Sequence, residues 1–252
     1  MIAGIATALH VVRAGLGPPV LLVHGSAADH TTWSIQLASA ELRARFELIA
    51  PDRRADAPSV AAHAEDLAAL LVAPALVIGS SFGAVIALEL LRTRPALCRG
   101  GVLIEPPLAA SDAPPATATL LAELDRRAAE AGGPAAAELF LRRALGDAAF
   151  ERMPRSFRDR ASAKWPAIRS DAAALIAYPP RYAELAALAA PCLLVGGARS
   201  AAYFRPTLDA LAAALPRARL EIVPDAGHML HAEAPRRFGE LVIGFCDELG
   251  IG

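Results

Sequence analysis

Short apolar segments bounded by turn residues recur along this chain, and helical patterns separate most of them. The predicted strands are LHVVRAG (9–15), PPVLLVHG (18–25), FELIAPD (46–52), ALVIGS (75–80), GVLIEP (101–106), CLLVGG (192–197) and ARLEIVP (218–224). Near-continuous apolar strands that alternate with helices predict an α/β fold with a mostly parallel sheet and helices on both faces. A Gly-Pro turn separates the first two segments and predicts a hairpin between them.

The alternation stops between Pro106 and Pro191. This stretch is rich in Ala, Arg, Glu and Leu, as in TLLAELDRRAAEA (119–131) and AAAELFLRRAL (135–145), and has no convincing strand. It predicts a helical insertion at 107–190 between the two parts of one core domain, 1–106 and 191–252.

The segment Gly79-Ser80-Ser81-Phe82-Gly83 fits the pattern G-x-S-x-G with Ser81 at its centre. It follows a predicted strand and opens a predicted helix, which is the context in which this pattern places a nucleophilic serine on a tight turn. Glycine permits that turn, and the helix N-terminus favours negative charge near the serine. Ser81 is therefore the predicted nucleophile, and Ser80 is a spacer.

A serine needs a base at neutral pH. Of the six histidines, His228 follows the last predicted strand and lies at the sheet edge where Ser81 is expected. His231, three residues later, is expected to be a polar residue at the surface or facing the insertion. An oxyanion hole needs two N–H donors, and the backbone N–H groups of Ser26 and Phe82 are the candidates.

VLLVHGSAADHTTW, APDRR, GSSFGA and VPDAGH, in this order and spacing, resemble the alpha/beta-hydrolase superfamily. The resemblance covers about residues 5–106 and 191–250, whereas the insertion is similar to that family's variable helical cap only in position and helicity. It implies the alpha/beta-hydrolase fold and hydrolytic chemistry without a cofactor, in an esterase-like branch.

In most of that family the acid that orients the histidine follows the strand after the cap, but the corresponding loop here, VGGARSAAYFRP (195–206), has no Asp or Glu. Glu105 ends the strand after the nucleophile's helix, a position that carries the acid in some members. Its burial after an apolar strand would require a hydrogen-bonding partner, which the imidazole of His228 would supply. Glu105 is the predicted acid, and Asp225 is the alternative.

Basic and acidic residues nearly balance, at 25 and 26, so charge gives no reason to expect nucleic acid or a membrane as a partner. The scattered cysteines predict reduced thiols in a cytoplasmic protein. The first residues, MIAGIATALHVVRAG, have neither a basic region nor a long apolar stretch, so no secretory signal is expected. No spacing suggests a metal site. We expect a serine hydrolase without a cofactor that cleaves small-molecule carboxylic esters, thioesters or lactones with small to medium apolar acyl groups. A ligand-binding member with weak turnover and a non-hydrolytic lyase or cyclase are the alternatives.

Overall fold

The computed structural model describes residues 9–112 and 117–252, with the side chains of 117 and 118 left aside. Seven strands form one sheet in the order β1-β3-β2-β4-β5-β6-β7, and all neighbouring pairs are parallel except β1 and β3. The strands are β1 Val11–Ala14, β2 Pro19–Val23, β3 Glu47–Pro51, β4 Ala75–Ser80, β5 Cys98–Ile104, β6 Cys192–Gly197 and β7 Ala218–Val223. The predicted α/β class and its seven strands are confirmed.

The described residues form thirteen α-helices. Those of the first and last parts of the chain are α1 Ser34–Ala38, α2 Ala40–Arg45, α3 Val60–Ala68, α4 Phe82–Thr93, α11 Phe204–Ala214, α12 Leu230–Glu233 and α13 Pro235–Glu248. Those between β5 and β6, called here the insertion helices, are α5 Thr117–Ala131, α6 Gly133–Leu145, α7 Asp147–Arg152, α8 Arg155–Ser162, α9 Trp165–Ile176 and α10 Tyr182–Leu185.

The two faces of the sheet carry separate apolar cores because successive side chains of a strand point to opposite faces. Leu21 and Val23 of β2 pack with α3, α4 and α11 on one face. Val20 and Leu22 of the same strand pack with α2 and α13 on the other face. Since both faces are covered, the central strands β2, β4 and β6 are apolar along nearly their whole length, as the sequence indicates.

The predicted hairpin between the first two strands is wrong. β1 pairs antiparallel with β3, and β2 lies on the far side of β3. The connection passes so close to the end of α2 that a Cβ on Gly15 or Gly17 would lie 2.3 or 2.4 Å from a backbone carbonyl oxygen. This close passage carries the chain across the end of β3 instead of reversing it, and both glycines have positive φ.

Among the described residues, no helix is long and apolar enough to cross a membrane. Cys192 and Cys246 are buried and Cys98 is half-buried, and all three are free thiols. The expectation that the chain lacks a secretory signal concerns its first residues, of which 1–8 lie outside the described part.

Candidate active site

Ser81 lies on a sharp turn between β4 and α4, with φ 54° and ψ −123°. Two glycines make this turn possible. A Cβ on Gly79 would lie 2.2 Å from the carbonyl oxygen of Gly83, and a Cβ on Gly83 would lie 2.3 Å from that of Val23. The pattern therefore reflects close backbone packing, and it places Ser81 at the N-terminus of α4, beyond the carboxyl end of a central strand. That end of a parallel sheet is where ligands bind in open α/β folds.

Glu105 and His228 come together at the same edge of the sheet. Glu105 Oε2 lies 2.6 Å from His228 Nδ1, and both side chains are almost completely buried. A carboxylate only accepts hydrogen bonds, so Nδ1 carries the proton and Nε2 is left as the basic nitrogen. Glu105 has a left-handed backbone conformation (φ 43°), which aims its side chain across β6 toward His228.

Two further contacts fix this pair. The backbone N–H of Gly197 donates to Glu105 Oε1 at 2.8 Å. The ring of Phe204 stacks on the His228 imidazole, with the centroids 4.4 Å apart and the planes 10° from parallel. These contacts hold the Glu105 carboxylate and the His228 imidazole in one relative orientation. A histidine that acts as a general base needs its ring held in this way by an acid. Asp225, the alternative acid, is exposed with φ 56° and makes no hydrogen bond to His228 within the described part of the chain.

Ser81 and His228 line one cavity, but no hydrogen bond joins Ser81 Oγ to His228 in the described residues. Catalytic hydrogen bonds are often long in unliganded enzymes and shorten when substrate binds.

The loop after β2 carries the first predicted oxyanion donor close to Ser81. A Cβ on Gly25 would lie 3.0 Å from Ser81 Cβ, and Ala27 has φ 60°. The N–H groups of Ser26 and Phe82 donate to no backbone or side-chain acceptor in residues 9–112 and 117–252. Unpaired N–H groups beside a nucleophile are what an oxyanion hole requires.

His24 and His231 are buried. His24 Nδ1 donates to Gly25 O at 2.8 Å, and its Nε2 accepts the N–H of Arg53 at 3.1 Å. Burial, with the nearby Arg53 charge, lowers the pKa of His24 to about 3, so it shapes the loop as a neutral side chain. The expectation for His231 is wrong: it is fully buried, against the Trp33 ring, and burial lowers its pKa to about 3.

Two adjacent cavities open beside Ser81. The smaller cavity has a volume of about 230 Å³. It is lined by residues of α6 and α8 and by His228, Met229 and Lys164. The larger, of about 520 Å³, is lined by Phe82, Leu175 and apolar residues of the segment after β5. Phe140 of α6 borders both cavities, so a bound molecule can extend to either side of the serine.

Two residues at this site were not singled out in the sequence. Asp171 of α9 and Arg53 after β3 form an ion pair with 5 % of each side chain exposed, next to Ser26. The signal available for Asp171 was that it is the one acidic residue in WPAIRSDAAALIA (165–177). A single carboxylate in a mainly apolar helix needs a cation or a hydrogen-bond donor beside it. The cation that Asp171 contacts, Arg53, is 118 positions away in the sequence, so no local pattern identifies it.

One group of described residues has donor atoms placed as in a metal site, namely His10, His30 and Asp52. Asp52 already accepts hydrogen bonds from His10 Nδ1 at 3.0 Å and from His30 Nδ1 at 2.9 Å. None of the three lines either cavity beside Ser81, so this group does not contribute to the arrangement described above.

The sheet order and the sharp turn at Ser81 define the class of the protein as the alpha/beta-hydrolase fold. Residues 20–241 match the sequence pattern of the alpha/beta hydrolase family, so the chain belongs to that family. No curated protein matches the sequence significantly.

Solved structures resemble the chain over nearly its whole length. A thermophilic esterase from Thermogutta terrifontis is 26 % identical, with a TM-score of 0.82 and coverage of 96 % of this chain and 93 % of the esterase. A putative non-heme bromoperoxidase from Mycobacterium tuberculosis is 24 % identical (TM-score 0.77, 96 % of each chain). An enol-lactonase from Burkholderia xenovorans is 22 % identical (TM-score 0.80, 95 % of this chain and 96 % of that chain). The last two likenesses concern the fold alone.

Proposed function

We propose that this protein is a serine hydrolase that cleaves carboxylic esters through an acyl-enzyme on Ser81. The observation that carries the proposal is the buried Glu105–His228 pair, joined at 2.6 Å, whose histidine lines the same cavity as Ser81. A buried carboxylate that holds an imidazole in one tautomer beside a strained serine is the arrangement of a nucleophile, its base and an orienting acid. The esterase among the similar structures supports the same reaction class.

The proposed reaction has two steps. His228 Nε2 takes the proton of Ser81 Oγ as the oxygen attacks the ester carbonyl, and the N–H groups of Ser26 and Phe82 hold the resulting oxyanion. His228 then gives the proton to the leaving alcohol as the C–O bond breaks. In the second step His228 deprotonates a water molecule, which attacks the acyl carbon. His228 then returns this proton to Ser81 Oγ as the bond between that oxygen and the acyl carbon breaks, and the acid is released. Glu105 stays ionised and stabilises the imidazolium that forms in each step.

The two cavities suggest how the substrate lies. The leaving oxygen must face His228 because this residue protonates it, and the smaller cavity is the one that His228 lines. The acyl group then occupies the larger, mainly apolar cavity beside Phe82 and Leu175. A volume of about 520 Å³ there suits a small to medium apolar acyl group. Thioesters and lactones offer the same carbonyl chemistry and are included in the proposed class.

No cofactor is required by this chemistry. The alternative of a ligand-binding protein with weak turnover rested on the missing acid after β6, and the contact between Glu105 and His228 removes that support. Free, largely buried thiols favour a reducing compartment, and we propose the cytoplasm as the location.

Hydrolysis of 4-nitrophenyl esters with graded acyl chains tests the proposal. We expect turnover that depends on chain length, and a loss of at least about 10³-fold in the Ser81→Ala variant, since removal of a triad member leaves only the binding and oxyanion contributions. A wild-type protein without turnover of any ester in the panel, or a Ser81→Ala variant of equal activity, contradicts it.

A further inference from the structure

A buried ion pair connects the insertion helices to the loop after β3. Arg53 Nη2 donates to Asp171 Oδ2 at 2.8 Å, and Arg53 Nη1 donates to Asp171 Oδ1 at 3.1 Å. This paired geometry is the strongest form of arginine–carboxylate contact and fixes the orientation of both groups. Asp171 is thereby tied to one position relative to the sheet, although it belongs to α9.

The same arginine holds the loop that carries the proposed oxyanion donor. Arg53 Nε donates to His24 O at 3.1 Å, and Arg53 Nη2 donates to Gly25 O at 3.0 Å. Its guanidinium also lies over the ring of Phe82, 5.0 Å from the centroid. Arg53 therefore contacts the backbone just before Ser26 and the side chain of Phe82, the two residues whose N–H groups are proposed to meet the oxyanion.

Asp171 also reaches this loop directly. Ser26 Oγ donates to Asp171 Oδ2 at 2.7 Å. Burial alone would raise the pKa of Asp171, but the Arg53 charge and the hydrogen bonds to the carboxylate lower it well below its ordinary value. The carboxylate is thus charged at neutral pH and holds Ser26 on one side and Arg53 on the other.

The loop needs such support because its conformation is strained. Ala27, which follows Ser26, has φ 60°, a conformation that non-glycine residues keep only when their surroundings enforce it. Removing the carboxylate would leave the Arg53 charge buried without its partner, which destabilises its surroundings. The carbonyl groups of His24 and Gly25 that Arg53 holds would then lose their fixed donors.

We propose that Asp171 is a positioning residue through which the insertion helices hold the oxyanion loop in its working geometry. The inference rests on the proposed function, since it assigns a task to residues of that same site. Asp171 does not contact the reacting atoms in this scheme. It acts through Ser26 and Arg53, so its effect belongs to the transition state, in which the oxyanion exists, and not to binding of the uncharged ester.

Steady-state kinetics of Asp171→Asn on a short 4-nitrophenyl ester is the first measurement. Loss of one oxyanion donor costs about 10²–10³ in turnover, and a misplaced donor costs less, so we expect kcat to fall about 10- to 100-fold while KM changes less than about twofold. Asp125→Asn is the matched control. It breaks the ion pair between Asp125 and Arg169 of the same α9 without touching the loop, and it should leave both constants unchanged.

A pair of inhibitors separates positioning from a merely structural role. An alkyl trifluoromethyl ketone forms an oxyanion when a serine adds to it, whereas the methyl ketone of equal length stays uncharged. Asp171→Asn should weaken the first inhibitor by the same factor as kcat and the second by less than about twofold. Equal losses for both inhibitors, or a lower melting temperature with unchanged kcat, would make Asp171 structural and overturn the inference.

Ser26→Ala provides a test that does not endanger folding, since the buried ion pair remains. The variant keeps the backbone N–H but loses the hydroxyl contact to Asp171. We expect kcat to fall roughly threefold to tenfold, less than the full value of a hydrogen bond to a charged group, because Arg53 still holds the loop. If Asp171→Asn does not fold, this variant decides alone, and an unchanged kcat overturns the inference. A wild-type protein without ester turnover overturns the proposed function as well, whereas active, wild-type-like variants overturn only this inference.

Discussion

Glu105→Gln is the substitution for which the structure predicts a specific chemical defect. Gly197 N–H donates to Oε1 of Glu105, so a glutamine at this position must place its carbonyl oxygen there. Its NH₂ group then faces His228 Nδ1, the atom that donates to Oε2 in the wild type at 2.6 Å. An NH₂ group requires an acceptor, so the His228 proton moves to Nε2. That nitrogen can then no longer take a proton from Ser81.

The magnitude follows from two losses. For His228 to act as a base, its proton must return to Nδ1. The Nδ1–H then faces the NH₂ group of the glutamine, and these two buried donors without an acceptor cost about 1–3 kcal/mol. The imidazolium formed during the reaction also loses a charged hydrogen-bond partner, worth about 1.5–3 kcal/mol. Together these give about 2.5–6 kcal/mol in the activation free energy, or a decrease in kcat of about 10²–10⁴.

The assay is ester turnover in steady state, with a thermal melt of each variant to show that it is folded. KM should stay within about threefold, because Glu105 acts on the histidine and not on the bound ester. Asp225→Asn is the matched control: Asp225 is exposed with φ 56°, a conformation that asparagine also adopts, so activity should be unchanged. A Glu105→Gln variant that keeps full activity, or a large loss in Asp225→Asn, would refute the assignment of the acid.

Further predictions concern stability and the cavities. His24 and His231 have folded-state pKa values lowered to about 3, mainly by burial. The unfolded chain therefore binds more protons below about pH 6.5, and stability should fall by about 1.4 kcal/mol per histidine from pH 7.5 to 5.5 in urea unfolding. His231→Phe should remove about half of the stability loss that the two histidines cause between pH 7.5 and 5.5. If the variant loses as much stability as the wild type, this explanation of the pH dependence is contradicted. Leu175→Trp should narrow the larger cavity and lower kcat/KM for an octanoyl ester at least about tenfold more than for an acetyl ester, whereas equal losses would place the acyl group elsewhere. Gly83→Ala would put a Cβ 2.3 Å from a β2 carbonyl oxygen and should cost about 1–3 kcal/mol in chemical unfolding. A Cβ on Gly239 would have no atom of another segment within 4 Å, so Gly239→Ala should be neutral or stabilising. Equal changes in stability for Gly83→Ala and Gly239→Ala would refute the explanation that close backbone packing requires glycine at position 83.

The sequence predicted what local patterns determine. The apolar strands of a parallel sheet are recognisable because both faces are buried, and the turn at Ser81 is recognisable because its glycines occupy fixed positions. The absence of an acid after β6 directed attention to Glu105, and the structure brings this residue and His228 together. Its role in the reaction remains a prediction that the Glu105→Gln experiment tests.

The errors and omissions concern contacts between distant segments. The turn between the first two segments is compatible with a hairpin, and only packing against the end of α2 shows that β1 pairs with β3. The burial of His231 depends on α13 and the segment around Trp33, which no local pattern brings together. The pair formed by Arg53 and Asp171 joins residues that are 118 positions apart, so neither residue shows its partner in the sequence.

Covalent labelling of Ser81 tests the central proposal most directly. A fluorophosphonate should react with the folded protein as Ser81 Oγ displaces fluoride from phosphorus, and mass spectrometry should locate a single adduct on Ser81. Ser80→Ala should still be labelled, because Ser80 is the neighbouring spacer, whereas Ser81→Ala should not. No adduct on the folded wild-type protein, or an adduct that persists in Ser81→Ala, would contradict a serine hydrolase that acts through this residue.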